Sequence, residues 1–187
     1  AGDVAAKVQG TKNTTERMNV SQSKLCLGFR TNISPWSEDY YALMVCNGIL
    51  GGGIHSKLFQ NVREKESLAY YAFSRLEKFK GLMIISSGIE AGNRDKTLEI
   101  MVRQLEEIKQ GNITDYEYEA TLKTIETGVK SLKDSQLQVV DFHLSQHMAG
   151  TQDTMDGLIE KVKKIKKEDI VRVAAGIKLD TIYFLTM

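Results

Sequence analysis

A cluster of glycines in the first third of the chain constrains the fold more than any other feature of the sequence. Residues 47–74 read NGILGGGIHSKLFQNVREKESLAYYAFS, with four glycines in the first seven positions. Glycine permits close backbone contacts and turns that other residues disfavour, so the cluster predicts a tight turn between two helices. The apolar residues Ile54, Leu58 and Val62 are four apart, which predicts that one face of the second helix is buried.

Two polar side chains follow this turn at positions from which they could act together. Arg63 closes the predicted second helix and Tyr70 opens a tyrosine-rich strand. If the chain reverses at residues 66–67, the guanidinium and the phenol can both donate hydrogen bonds to one peptide carbonyl or its oxyanion. The plainer alternatives are that Arg63 caps the helix end or pairs with Glu66, and that Tyr70 is one strand tyrosine among several.

The composition excludes several classes of function. The chain has 187 residues, which suits one domain or two small ones, and its 42% hydrophobic content allows a sizeable core. The 25 basic and 24 acidic residues nearly cancel, so we expect neither nucleic acid nor a membrane surface as a partner. No apolar run reaches the roughly 20 residues of a membrane helix, and no signal peptide is visible. Cys26 and Cys46 lie in apolar runs, which predicts buried free thiols in a reducing, cytoplasmic compartment, with a disulfide as the alternative.

The periodicity of the chain predicts an α+β fold. Residues 1–20 are polar and lack a sustained period, which predicts a linker or loose N-terminal arm before a single domain at 21–187. The patterns predict strands at 23–31, 68–76, 82–90 and 181–187, and helices that begin at or near Ser37, Ile54, Asn93, Thr114, Leu137, Met155 and Glu168. This order is typical of a split β-α-β-β-α-β sheet, a two-layer sandwich with helices on one face.

Two further patterns look like ligand sites but lack necessary residues. The glycines are not followed by the Lys-Ser/Thr of a P-loop, and a helix rather than a strand precedes them, so we do not expect nucleotide binding. His143 and His147 have the spacing of zinc ligands on one helix face. Gln146, however, stands where the H-x-x-E-H motif has its glutamate, and the sequence does not indicate a third zinc ligand. We interpret these histidines as surface or boundary residues; an independent domain that binds metal through them is the alternative.

The central motifs resemble those of a known enzyme family. NGILGGGIHSKLF at 47–59 and VREKESLAY at 62–70 match the pattern N-x-x-L-G-G-G-x-x-S-[RK]-L-F followed by R-E-K-x-x-L-x-Y. On these residues the chain is similar to the pitrilysin/insulinase family of zinc metallopeptidases, and the likeness extends over 21–187. The resemblance implies a metallopeptidase (LuxS/MPP-like) domain.

This resemblance implies that two homologous domains face each other across a closed chamber and have different roles in catalysis. One domain bears H-x-x-E-H and a distal glutamate, which hold zinc and activate water; the other supplies an arginine and a tyrosine seven positions apart. The chain has no H-x-x-E-H, so the resemblance implies the second, non-zinc domain. In that role Tyr70 would donate to the carbonyl under attack, and Arg63 would hold a carbonyl further along the peptide. Tyr71 is the neighbouring alternative to Tyr70.

The resemblance also implies what the domain works with. We expect no cofactor in this chain, zinc on a companion domain or subunit in cis or in trans, and a peptide substrate. The chain should be inactive alone, because closure must bring its donors to the zinc site. A free sheet edge could hold an extended peptide by strand addition, and a homodimer is compatible with the sequence. The alternative function is that of a non-catalytic structural or assembly relative of the processing-peptidase core subunits.

Overall fold

The structure, a computed structural model, describes residues 7–187, which form a mixed sheet and a layer of helices. The strands are β1 Lys12–Arg17, β2 Ser23–Arg30, β3 Ala69–Glu77, β4 Leu82–Ile89 and β5 Lys178–Thr186. The helices are α1 Tyr40–Gly51, α2 Arg94–Lys109, α3 Asp115–Ser131, α4 Gln136–Ala149, α5 Met155–Lys163 and α6 Lys167–Ala175. A π-helical segment, Phe59–Lys65, precedes β3. No helix in this part of the chain is long and apolar enough to span a bilayer.

The five strands are arranged in the order β1-β5-β2-β4-β3. β2 lies antiparallel between β4 and β5, β3 pairs antiparallel with β4, and β1 pairs in parallel with β5. Alternate side chains of the inner strands face the helices, so Leu25, Leu27 and Phe29 of β2 are buried. Cys26 and Gly28 lie between them on the other face, which stays partly open. This arrangement confirms the predicted α+β fold with helices layered on a sheet.

β1 corrects the prediction of a linker or loose arm at residues 1–20. Lys12–Arg17 pair with β5 along their whole length, and the hydroxyl of Tyr183 donates to Glu16 Oε2 at 2.5 Å. All six residues of β1 are exposed, so no hydrophobic alternation marks the strand in the sequence. Residues 1–6 of the predicted arm lie outside the described residues.

The end of α1 lies directly against the backbone of β3. A Cβ atom on Gly51 would lie 2.3 Å from the backbone nitrogen of Ser74 and 2.9 Å from Leu58 Cδ1, closer than side-chain carbons approach such atoms. The hydroxyl of Ser74 donates a hydrogen bond of 3.1 Å to the carbonyl of Asn47, one turn earlier in α1. The glycine cluster therefore permits a contact that fixes β3 on the helix layer.

A buried ion pair joins the segment after the glycines to α3. Lys57 Nζ lies 3.0 Å from Glu117 Oε1, and the two side chains are 8% and 13% exposed. The other carboxylate oxygen accepts from the backbone nitrogen of Thr114 at 2.9 Å, which completes the predicted capping box. Nearby, His55 Nε2 and Thr121 Oγ1 form a hydrogen bond of 2.9 Å. Burial lowers the pKa of His55 below its ordinary value, although the charge of Glu117 opposes the shift.

The helix predicted from Ile54 begins later than the spacing suggests. Residues 53–56 form a turn and the chain then winds as a π-helix. Ile54 is consequently 70% exposed, whereas His55 is buried at 5% exposure. Leu58 and Val62 are buried as predicted. The prediction for Ile54 was wrong because the regular α-helical period does not extend through a turn and a wider helix.

We expect Gly51→Ala to destabilise the fold. Ala is preferred over Gly in helices, but here the new methyl group would overlap the backbone of Ser74, which cannot move away as a flexible side chain would. Overpacking of this kind costs about 1–3 kcal/mol in the free energy of unfolding. Urea denaturation followed by circular dichroism measures the change.

Gly128→Ala is the matched control for this substitution. Gly128 lies in α3, and a Cβ atom there would meet nothing within 4 Å. Only the helix preference then acts, and it should stabilise the protein by up to about 1 kcal/mol. An equal gain from both substitutions would show that α1 does not touch β3 as described.

We expect Glu117→Ala to cost about 3 kcal/mol or more of folding stability, because it leaves the ammonium of Lys57 buried without a partner and removes the Glu117 half of the capping box of α3. Glu119→Ala, at an exposed position of the same helix, should change stability by less than about 0.5 kcal/mol. Equal, small changes in urea midpoints for the two variants would contradict a structural role for the buried pair.

Candidate functional site

Arg63 lies on the π-helical segment Phe59–Lys65, with its side chain 46% exposed. The guanidinium carbon lies 4.8 Å from the centre of the Phe59 ring, and Nε lies 3.7 Å from Glu64 Oε1. Both contacts are at the surface, where such interactions contribute little. The guanidinium can therefore exchange them for an incoming acceptor without a large penalty.

The segment that carries Arg63 is held firmly from its inner side. Asn61 Nδ2 donates to Gln104 Oε1 on α2 and to the carbonyl of Lys57, each at 2.9 Å. Val62, next to Arg63, is fully buried. A half-exposed side chain thus projects from a backbone that is held in place, an arrangement suited to binding an extended ligand.

The chain reverses after Arg63, as the sequence predicts. Ser67 has φ of 52°, in the left-handed region that non-glycine residues rarely adopt, and its backbone nitrogen donates to the carbonyl of Arg63 at 3.1 Å. Glu66 pairs with Lys96 Nζ at 2.7 Å, which lowers the pKa of the Glu66 carboxyl below its usual range. The alternative in which Arg63 pairs with Glu66 is therefore wrong in this structure.

Tyr70 is the extra residue of a β-bulge at the start of β3. Ala69 lies opposite Ile89 and Tyr71 lies opposite Gly88, so no residue of β4 faces Tyr70. Its side chain is 61% exposed, and among residues 7–187 its hydroxyl has no hydrogen-bond partner. The bulge thus leaves a phenol donor free at the end of the sheet.

Tyr71 is placed differently from its neighbour. Its ring lies over Gly88, where a Cβ atom would come within 2.5 Å of the ring carbon Cε1. The ring also packs against Phe73, with centroids 5.8 Å apart. Tyr71 is thus partly buried by the sheet, and Tyr70 is the more accessible donor.

Two adjoining depressions, of about 180 and 220 Å³, lie on either side of Tyr70. Glu90 lines both of them, and Asn93 lines the smaller one. Glu90 carries no motif of its own in the sequence, but the β3–β4 hairpin register, which places the end of β4 beside the start of β3, could have identified it. Arg63 is not among the residues that line these two depressions, so they do not bring it together with Tyr70.

The histidines His143 and His147 are exposed on α4. Gln146, between them, turns to the loop that follows: its Oε1 accepts from the backbone nitrogen of Asp153 at 3.3 Å and from the hydroxyl of Thr151. In the described part of the chain no group of three or more His, Cys, Asp or Glu side chains is arranged to hold a metal ion. His143 and His147 therefore lack the further ligand that a zinc site would need among the described residues.

The two cysteines have different surroundings. Cys46 is fully buried in α1, and burial raises the pKa of its thiol to about 12. Cys26 is partly exposed on the open face of the sheet, with Sγ 3.4 Å from Ser86 Oγ. Both thiols are free, and only Cys46 is buried as predicted.

The sequence matches the family model of the peptidase M16 inactive domain over residues 3–125. The "Probable inactive metalloprotease YmfF" of Bacillus subtilis (strain 168) is 40% identical over 179 residues, a match that covers 96% of this chain and 42% of YmfF. The "Uncharacterized zinc protease YmxG" of the same organism is 28% identical over 163 residues, which cover 86% of this chain and 40% of YmxG.

A solved structure shows the same architecture. A conserved protein from Enterococcus faecalis V583 superposes with a TM-score of 0.89 at 36% identity, and the match covers 95% of this chain and 42% of that chain. The chain thus spans less than half the length of these relatives. The family model covers most of the chain, and a relative 40% identical over 179 residues belongs with it, so the chain belongs to the peptidase M16 family as an inactive domain.

Proposed function

We propose that this domain is the substrate-binding, catalytically incomplete half of a zinc-dependent peptidase. In this role the Tyr70 hydroxyl donates to the peptide carbonyl under attack and stabilises the oxyanion that forms there. Arg63 binds a second backbone carbonyl further along the peptide. The observation that carries the proposal is the free phenol of Tyr70, set out by a bulge just after the left-handed turn that follows Arg63.

The surroundings of Tyr70 support the binding of an extended chain. β3 is the last strand of the sheet, so its outer edge offers backbone groups to a further strand. Phe73 is 41% exposed on the same strand and adds an apolar contact. A peptide aligned with this edge would pass Tyr70 at one end and Phe73 near the middle.

The companion that supplies zinc belongs to the proposal as well. The described residues do not form a metal site, and YmxG, whose name includes zinc protease, is more than twice as long as its match to this chain. We propose that a zinc-bearing domain or subunit, in cis or in trans, closes over the end of the sheet where Tyr70 lies. This chain would contribute hydrogen bonds and position through Tyr70 and Arg63, and the zinc bound by the companion would supply activation of the attacking water.

A second candidate is a non-catalytic structural or assembly role. It is favoured by the name of the 40% identical relative YmfF, which describes an inactive metalloprotease. In that case the domain would bind its companion, and the assembled protein would not cleave peptides. The following experiment separates the two functions, because only the first depends on the Tyr70 hydroxyl.

We expect Tyr70→Phe to lower kcat by about 100-fold or more when the chain is reconstituted with its zinc-bearing companion and assayed on a fluorogenic peptide. The reason is the loss of one hydrogen bond that forms fully only in the transition state. Tyr116→Phe is the matched control, because Tyr116 is 66% exposed and Tyr70 is 61% exposed. Unchanged turnover in Tyr70→Phe would contradict the role of Tyr70 as a donor to the substrate carbonyl. Absence of cleavage by an intact wild-type assembly would favour the structural function.

We expect Arg63→Ala to raise KM in the same assay, with a loss of roughly 10- to 100-fold in kcat/KM, because a charge-assisted hydrogen bond to the substrate backbone is removed. Arg103→Ala is its control: the Arg103 side chain is 53% exposed and pairs weakly with Glu99, as Arg63 does with Glu64. Equal kinetics for the two arginine variants would exclude Arg63 from substrate binding.

A further inference from the structure

A cavity of about 110 Å³ lies where the start of α1, the end of β3 and the inner side of α4 meet. The apolar part of its wall is formed by Pro35, Met44, Phe142 and Leu158. Pro35 and Leu158 are buried, and Met44 and Phe142 pack against the hydrophobic core. The packing of the domain therefore sets the shape of this cavity.

The polar part of the wall offers hydrogen-bond donors that the domain itself does not use. Lys78 forms no ion pair among residues 7–187, and its Nζ lies 5.3 Å from the centre of the Phe79 ring. The hydroxyls of Tyr40 and Ser145 likewise form no hydrogen bond within the described part of the chain. Gln146 Oε1 accepts two hydrogen bonds from the following loop, which leaves its amide nitrogen as a further donor. The wall thus suits a ligand that brings acceptors.

The charge of Lys78 is not balanced by the carboxylates of the neighbouring segments. Glu77, the residue before it, pairs with Arg75 at 3.4 Å, and Asp153, in the loop before α5, pairs with Lys161 at 2.5 Å. Burial lowers the pKa of the Lys78 ammonium below its ordinary value, and no acidic group opposes this shift. A partly buried ammonium without a counter-ion is costly, so an anion bound beside it would be stabilising.

We propose that this cavity binds a small monocarboxylate with a branched aliphatic body, of which isobutyrate is an example. The carboxylate accepts hydrogen bonds from Lys78, Tyr40 and Ser145, and the aliphatic body lies against Met44 and Phe142. A single unbalanced ammonium matches one carboxylate, which disfavours a dicarboxylate. A cavity of about 150 Å³ accommodates benzene, so a volume of about 110 Å³ suits a body of roughly three to five carbon atoms.

The cavity is separate from the surface around Tyr70. Tyr70 lies near the start of β3, whereas Lys78 follows directly after its last residue, so the two are roughly 25 Å apart along the strand. Tyr70 is not among the residues that line the cavity. The inference consequently stands independently of the proposed peptidase role.

Titration of the full chain with isobutyrate, followed by the amide signals in NMR spectra, tests the site. We expect saturable binding with a Kd roughly in the millimolar range, as suits so small a ligand, and signal changes around Tyr40 and Ser145 rather than around Tyr70. Isobutyramide has the same shape without the charge, and it should bind about tenfold more weakly or less. Absence of saturable isobutyrate binding, or equal affinity for the amide, would overturn the proposal.

Lys78→Met removes the charge and keeps an unbranched side chain in the wall. We expect it to weaken isobutyrate binding by about tenfold or more, because a charge-assisted hydrogen bond is lost. Lys80→Met is the matched control, since Lys80 is exposed on the same short helical turn, Lys78–Lys80, and does not line the cavity. Circular dichroism shows whether each variant is folded. A folded Lys78→Met with wild-type affinity would contradict the site.

Tyr40→Phe removes a single hydroxyl and tests the same wall even if Lys78→Met does not fold. We expect isobutyrate to bind about threefold more weakly or less, because one neutral hydrogen bond is lost. Unchanged affinity in this variant would exclude the Tyr40 hydroxyl as a ligand group and contradict the proposed site.

The same titration with N-acetylvaline distinguishes a free acid from the carboxyl end of a peptide. This compound carries a carboxylate and a branched body together with an additional amide. We expect it to bind about tenfold more weakly than isobutyrate, or less, because the additional group does not fit the volume of the cavity. Equal or tighter binding would assign the cavity to a peptide C-terminus and overturn the proposal of a free acid.

Discussion

The contact between the last turn of α1 and the backbone of β3 determines where the rest of the site lies. β3 is an edge strand with one neighbour in the sheet, so hydrogen bonds to β4 alone would leave it free to twist. The absence of a side chain at Gly51 lets the helix touch Ser74, and the Ser74 hydroxyl bonds back to Asn47. Tyr70, four residues before Ser74, is held at the end of a strand whose position is fixed in this way.

The position of Arg63 depends on buried polar groups that all have hydrogen-bond or ion-pair partners. An isolated ammonium in the core would be costly, yet Lys57 has Glu117 at 3.0 Å, and the same carboxylate caps α3. Asn61 adds a bond to α2 at 2.9 Å. These links orient the π-helical segment, so that Val62 is buried and Arg63 projects outward. The site therefore combines a backbone that is held in place with two exposed hydrogen-bond donors, Arg63 and Tyr70. Such an arrangement suits binding to a peptide backbone.

Much of this organisation could be predicted from the sequence, and the exceptions have physical reasons. The hairpin, the capping box at Thr114 and the alternation of β2 follow local rules, and the structure confirms them. β1 was missed because an edge strand with both faces exposed has no hydrophobic period. Ile54 was wrongly placed inside because the chain turns and then winds as a π-helix. The bulge at Tyr70 depends on pairing with β4, which no local pattern reveals.

We propose that Tyr70 donates to the carbonyl of the peptide bond that is cleaved. The most direct measurement is a crystal structure of this domain with its companion, inactivated by substitution of the catalytic glutamate there and bound to an intact peptide. We expect Tyr70 Oη to lie within about 3.2 Å of that carbonyl oxygen, at hydrogen-bond distance. A peptide bound with this carbonyl directed away from Tyr70, or held on a different part of the domain, would contradict it.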